Sequence, residues 1–142
     1  MVGVIAALVS GALMSIQGVF NTDVTKQTSL WVSASFVQFT ALLVCLAAWL
    51  ICDRTSFRSL FEISDKYVLL GGAIGAFITA TVIWSMNGLG PAKAAMLIVI
   101  SQLTVAWLIE LAGIFGMEKQ PFSMRKLLGL LIAAAGVITF EL

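Results

Sequence analysis

Residues 30–52 read LWVSASFVQFTALLVCLAAWLIC, with no charged side chain from end to end. At 1.5 Å per residue such a run makes a helix about 35 Å long, enough to cross the roughly 30 Å hydrocarbon core of a bilayer. Four more uncharged or nearly uncharged stretches flank it. Residues 2–20 precede it. Residues 67–89, residues 92–116 (which hold Glu110) and residues 125–140 follow it. A membrane crossing takes about 17–25 residues, so the first four stretches suffice. The last is short, and its crossing relies on Arg125 and Lys126 reaching back to the interface.

The composition points the same way. Hydrophobic residues make up 61% of the 142 residues and charged residues 11%. Soluble domains carry about 25% charged residues. The expected fold is an all-α integral membrane protein of five transmembrane helices, a single domain over residues 1–142. Residues 2–20 lack a basic leading segment and a small-residue cleavage site, so they read as a retained helix and not as a signal peptide. A net charge of +1 excludes a strongly basic surface for nucleic acid.

The connections fall at residues 21–29, 53–66, 87–91 and 117–124. Gly88, Gly90 and Pro91 end the third span and restart the fourth, with Pro91 near a first-turn position. Phe57, Leu60 and Phe61 suggest a short interfacial helix in the second connection. Trp31, Trp49, Tyr67 and Trp84 lie near span ends, where aromatic belts form. Five spans put the termini on opposite faces. Arg54, Arg58, Lys66, Lys119, Arg125 and Lys126 then share the face of the N-terminus, against Lys26 and Lys93 on the other. The positive-inside rule places the N-terminus in the cytoplasm of a cell-membrane protein and the C-terminus outside.

Chemistry of the soluble-enzyme kind has no foothold. Histidine is absent, which removes Ser-His-Asp and Cys-His arrangements. No phosphate-cradling or dinucleotide motif occurs. Cys45 and Cys52 are seven residues apart on one span, about 10 Å along its axis, too far for a disulfide. No metal and no cofactor is expected.

Polar residues inside the spans are the candidates for function. Glu110 is the only acid within a span, and an intramembrane acid is a functional candidate. With its span running to residue 116, it would lie about 10 Å deep. Desolvation disfavours the carboxylate, which suits exchange of a proton or binding of a cation. The plainer reading is a carboxyl reaching the interface or pairing with a nearby basic residue. Gln17 and Asn21 share a helix face. With Gln38, Thr79, Thr81, Ser85, Ser101 and Gln102 they could line a cavity for a polar solute, or simply bond between helices. Trp31 and Trp84 could shape an outer vestibule. Small residues recur at Gly3, Ala7, Gly11 and Ser15, at Gly71 and Gly75, and at Gly129 and Ala133. Such stripes let backbones approach, within one protomer or between two.

Several of these residues recur in a familiar order. Gly11-Ala12-Leu13 precedes Gln17 and Asn21, and Ser29-Leu30-Trp31 opens the second span. Gly71-Gly72 precedes Gly75-Ala76, and Leu89-Gly90 precedes the fourth span. Ser101-Gln102-Leu103 lies in its middle and Gly113-Ile114-Phe115-Gly116 at its end. Pro121, Arg125-Lys126-Leu127-Leu128-Gly129 and Gly136 mark the last span. In this the chain resembles the half-size YdcZ family of the drug/metabolite transporter superfamily, over essentially its whole length. Glu110 is followed by Leu111, where the family often has histidine, and Lys93 stands where a small or polar residue is expected.

The resemblance implies one half of an inverted-repeat transporter fold, pairing antiparallel as a homodimer or with a closely related, oppositely oriented chain. Inverted repeats suit alternating access about a midplane site. An antiparallel pair would bring Glu110 of one protomer to the depth of Gln17 in the other. The expected function is transport of a small polar or amphipathic solute, with proton or cation coupling through Glu110 and with Gln17, Asn21, Gln38 and Gln102 contacting the solute or gating its path. The alternative is a non-transporting membrane scaffold or accessory subunit. The expected partners are membrane lipid, the solute and the second protomer.

Overall fold

The computed structural model describes residues 1–141. Among them every regular element is helical: α1 (Val2–Gln27), α2 (Leu30–Ala48), a single turn α3 (Ser59–Glu62), α4 (Gly71–Leu89), α5 (Pro91–Ala112) and α6 (Met124–Glu141). Among the described residues, four helical segments are long and apolar enough to cross a membrane: Val2–Gln27, Leu30–Asp53, Lys66–Leu89 and Pro91–Ala112. α6 has 18 residues and carries Arg125, Lys126 and Glu141, and is not among them.

α1 runs seven residues past the expected end at Phe20, so the connection at 21–29 shrinks to Thr28 and Ser29. Asn21 and Thr22 favour turns when their side chains compete for backbone groups. Here both are buried. Thr22 Oγ1 donates to Gly18 O at 2.8 Å, and Ser33 Oγ donates to Asn21 O at 3.0 Å. Packing keeps the helix going where local preference would end it. Ser29 then caps α2, its hydroxyl accepting from Val32 N.

α2 leaves through a wider, π-helical turn, Trp49–Asp53. Arg54 stops it in the left-handed conformation at φ 59° and donates through Nε to Leu50 O. Trp49 closes the corner, donating to Thr55 O and packing 4.8 Å from Phe57. The expected interfacial helix is reduced to the one turn of α3. A 3-10 turn, Lys66–Leu70, leads into α4. Gly90, at φ 83°, is the one residue between α4 and α5, and Pro91 opens α5 as expected.

α5 ends at Ala112, four residues before the expected Gly116. Gly113 takes the left-handed conformation at φ 65° and returns its N–H to Ile109 O. Phe115 and Gly116 also have positive φ. The chain doubles back so that Gln120 N donates to Glu110 O at 2.8 Å.

The chain divides into two compact units, Met1–Asn87 and Gly88–Leu142. In the first, the buried residues gather at one end of the helices. Gly18, Asn21 and Thr22 come from the second half of α1, Ser33 and Ala34 from the start of α2, and Ala80, Ile83 and Met86 from the middle and end of α4. The opposite ends lie uncovered. Leu8 on α1 is 71% exposed and Phe77 on α4 is 67% exposed. A chain with so few buried apolar side chains is folded for lipid or for further protein, not for water. In the second unit, α5 packs on α6.

Among the described residues, most glycines of the small-residue stripes face open space, Gly75 beside Gln38 being the exception. A side chain at Gly3, Gly11, Gly71 or Gly129 would meet open space. Gly18 is where a helix needs its missing side chain: a Cβ there would lie 2.5 Å from Sδ and Cε of Met86.

Candidate functional site

The first unit carries a groove of about 830 Å³ between α1 and α2. It runs between residues 6–21 of α1 and residues 37–45 of α2. Ala6, Leu13 and Val44 give it apolar walls, and Gln17 and Asn21 stand at its packed end with Thr40 opposite. Asn21 is 7% exposed, whereas Gln17 is open to the groove. The four-residue spacing thus brings these two amides together as the sequence suggests.

Other expected site residues stand elsewhere. Gln38 is half-buried against Gly75, its Nε2 3.6 Å from where a Cβ would be. Trp31 is exposed over a shallow hollow with Phe36 and Phe39. Thr81 donates to Phe77 O, and Ser85 to Val82 O, so both hydroxyls are satisfied by their own helix. Gln102 is exposed on α5 in the second unit.

The second unit carries the ionic feature. Glu110 is two residues from the end of α5, hence about 3 Å from it, and not about 10 Å deep. Glu110 would match the depth of Gln17 in an antiparallel partner only if α5 reached Gly116, and α5 ends at Ala112. Lys126, in the first turn of α6, places Nζ 2.5 Å from Glu110 Oε2. A carboxylate at a helix C-terminus faces the negative end of the macrodipole, and an ammonium beside it offsets that cost. The side chains are 36% (Glu110) and 49% (Lys126) exposed. In water such a pair contributes about 0–1 kcal/mol. Trp107, one turn earlier on α5, packs 5.6 Å from Phe122, and its buried Nε1 has no hydrogen-bond partner.

Sequence reasoning missed three participants. Ser33 is fully buried and bonded to Asn21, but it reads as one of several span serines. Met86 enters the Gly18 notch, a match no helix-by-helix pattern encodes. Lys126 reaches Glu110 only because three positive-φ residues fold the intervening loop back. Gly113 and Gly116 were visible as a turn signal. The direction of the turn was not.

A family model described as "Putative inner membrane exporter, YdcZ" matches residues 2–139. No curated protein and no solved structure gives a significant match to the chain.

Proposed function

Because the chain belongs to the YdcZ family, whose description is "Putative inner membrane exporter", we propose that it carries a small polar or amphipathic solute across the membrane by alternating access. The observation that supports this most directly is the groove between α1 and α2, which carries Gln17 and Asn21 among apolar walls. Apolar walls exclude water, and a few placed amides orient a polar group. In this reading Gln17 and Asn21 contact the solute. Trp31, Gln38 and Gln102 serve gating. Thr81 and Ser85, whose hydroxyls are committed to their own helix, act through packing. Glu110 couples transport to a proton or a cation.

The working form in this proposal is an antiparallel dimer, of this chain with itself or with an oppositely inserted relative. The uncovered apolar faces and open glycine stripes leave surfaces that a second protomer would cover. The test is flux into proteoliposomes under an imposed pH gradient, over a panel of small polar and amphipathic solutes. Wild-type protein is expected to give gradient-driven flux of at least one of them. Glu110→Gln is expected to abolish that flux with an unchanged melting temperature. Undiminished coupled flux in this variant would remove Glu110 from its role, and no flux from any solute would favour a scaffold or accessory subunit.

A further inference from the structure

The Glu110–Lys126 pair is also a partition. On its helix side, Leu103, Trp107 and Leu130 line a hollow of about 310 Å³. On its loop side, Met117, Glu118 and Gln120 line another of about 410 Å³. Glu110 and Lys126 are the two residues common to both linings. Separating their side chains would join a polar mouth at the loop to an apolar slot between α5 and α6.

The charges around this partition favour a cation. Two carboxylates, Glu110 and Glu118, line the joined space against one ammonium, Lys126. Lys119 and Arg125 line neither hollow. Lys93 is seventeen residues up the same helix, about 25 Å away. A metal ion is a poor fit, because no three metal-ligating side chains gather among the described residues. The apolar slot suits an organic body. The pair is partly exposed and therefore weak enough to exchange.

We propose that Lys126 is a tethered stand-in for a ligand, and that the site it occupies takes a small amphipathic organic cation of the primary alkylammonium class. The free ammonium replaces Nζ at Glu110 Oε2, and its alkyl chain lies in the slot against Leu103 and Leu130. A lysine side chain is itself a butylammonium group, so the exchange conserves the contact. The inference deepens the reading of Glu110 as a cation-binding residue, but its test needs no transport.

The test is calorimetric titration of the full chain in nanodiscs with hexylammonium, each heat corrected against empty nanodiscs. Lys126→Ala, which vacates the site, is expected to bind saturably and about fivefold tighter than wild type, the gain set by loss of a part-exposed ion pair. Lys126→Arg keeps a tethered cation and is expected to bind no tighter than wild type. Glu110→Gln is expected to abolish binding. Should Lys126→Ala melt early, Lys126→Met keeps the chain length without the charge. Equal affinity in wild type and the vacated variant overturns the proposal, as does binding that survives Glu110→Gln. Hexanoate binding that is lost with Lys126 would mark an anion site and overturns it too. Protein that shows the expected pattern yet moves no solute in liposomes would lose the transport reading and keep this site.

Discussion

Gly18 sits where any side chain would have to share space with Met86. The clash falls on the far end of a flexible side chain, but Met86 is itself 5% exposed and has little room to retreat. Overpacking of this kind costs about 1–3 kcal/mol. Ser33 lies in the same cluster and contributes one buried hydrogen bond, to Asn21 O. Interhelical bonds in membrane proteins average about 0.6 kcal/mol. Steric fit therefore outweighs the hydrogen bond at this end of the unit. Gly18→Val is expected to destabilise the protein by more than Ser33→Ala, measured by denaturation in mixed micelles. Adding Met86→Ala to Gly18→Val should recover part of the loss, because the two residues touch and their effects are not additive. A larger loss from Ser33→Ala than from Gly18→Val would reverse this ranking.

At the scale of elements, the end of α5 decides where the ion pair forms. Gly113 and Gly116 both have positive φ, but their surroundings differ. A Cβ at Gly113 would lie 2.8 Å from Lys119 Cβ and 3.1 Å from its Cα, whereas one at Gly116 would meet nothing within 4 Å. Alanine at Gly116 is expected to cost about 1–2 kcal/mol, the penalty of the left-handed conformation alone. Alanine at Gly113 adds a clash with backbone and is expected to cost about 2–5 kcal/mol. Thermal melts of the two variants in the same detergent check the order. Equal losses would mean that the loop shifts freely away from the helix end.

At the scale of the whole molecule, the basic residues are biased six to two toward the face of the N-terminus under a five-span reading. An antiparallel pair requires that some chains insert the other way. Thr25, expected in the first connection, lies within α1 with its hydroxyl buried, so it is a poor reporter. Gln27 and Met117 are exposed near the corresponding turns. In a Cys45→Ala, Cys52→Ala background, cysteines placed singly at these positions can be labelled from either side of native membranes. The positive-inside bias predicts that Gln27→Cys labels from outside and Met117→Cys from the cytoplasm. Similar labelling of each from both sides would establish dual insertion and make the antiparallel homodimer possible from this chain alone. Strictly one-sided labelling would leave an antiparallel pair only to this chain with an oppositely inserted partner, or remove the antiparallel form altogether.

Much of the architecture is legible in the sequence because lipid imposes a simple rule. Backbone groups inside hydrocarbon must bond within their own helix, so long uncharged runs announce the spans. The glycines and proline at 88–91 announce the shortest connection, the single residue Gly90. The four-residue spacing of Gln17 and Asn21 puts both on the groove. What pattern reading lost was set by contacts between segments. α1 continues through Asn21 and Thr22 because neighbouring helices and its own backbone satisfy them. α5 stops at Ala112 because the following loop returns and bonds to Glu110 O. The sequence by itself determined that this chain lives in a membrane and roughly where it crosses. Only the tertiary structure decided that Gly18 is the glycine packed against Met86, and that Glu110 has Lys126 as its partner. Spans follow from hydrophobicity, which is summed along the chain, whereas notches and ion pairs depend on distances between residues that the chain order leaves free.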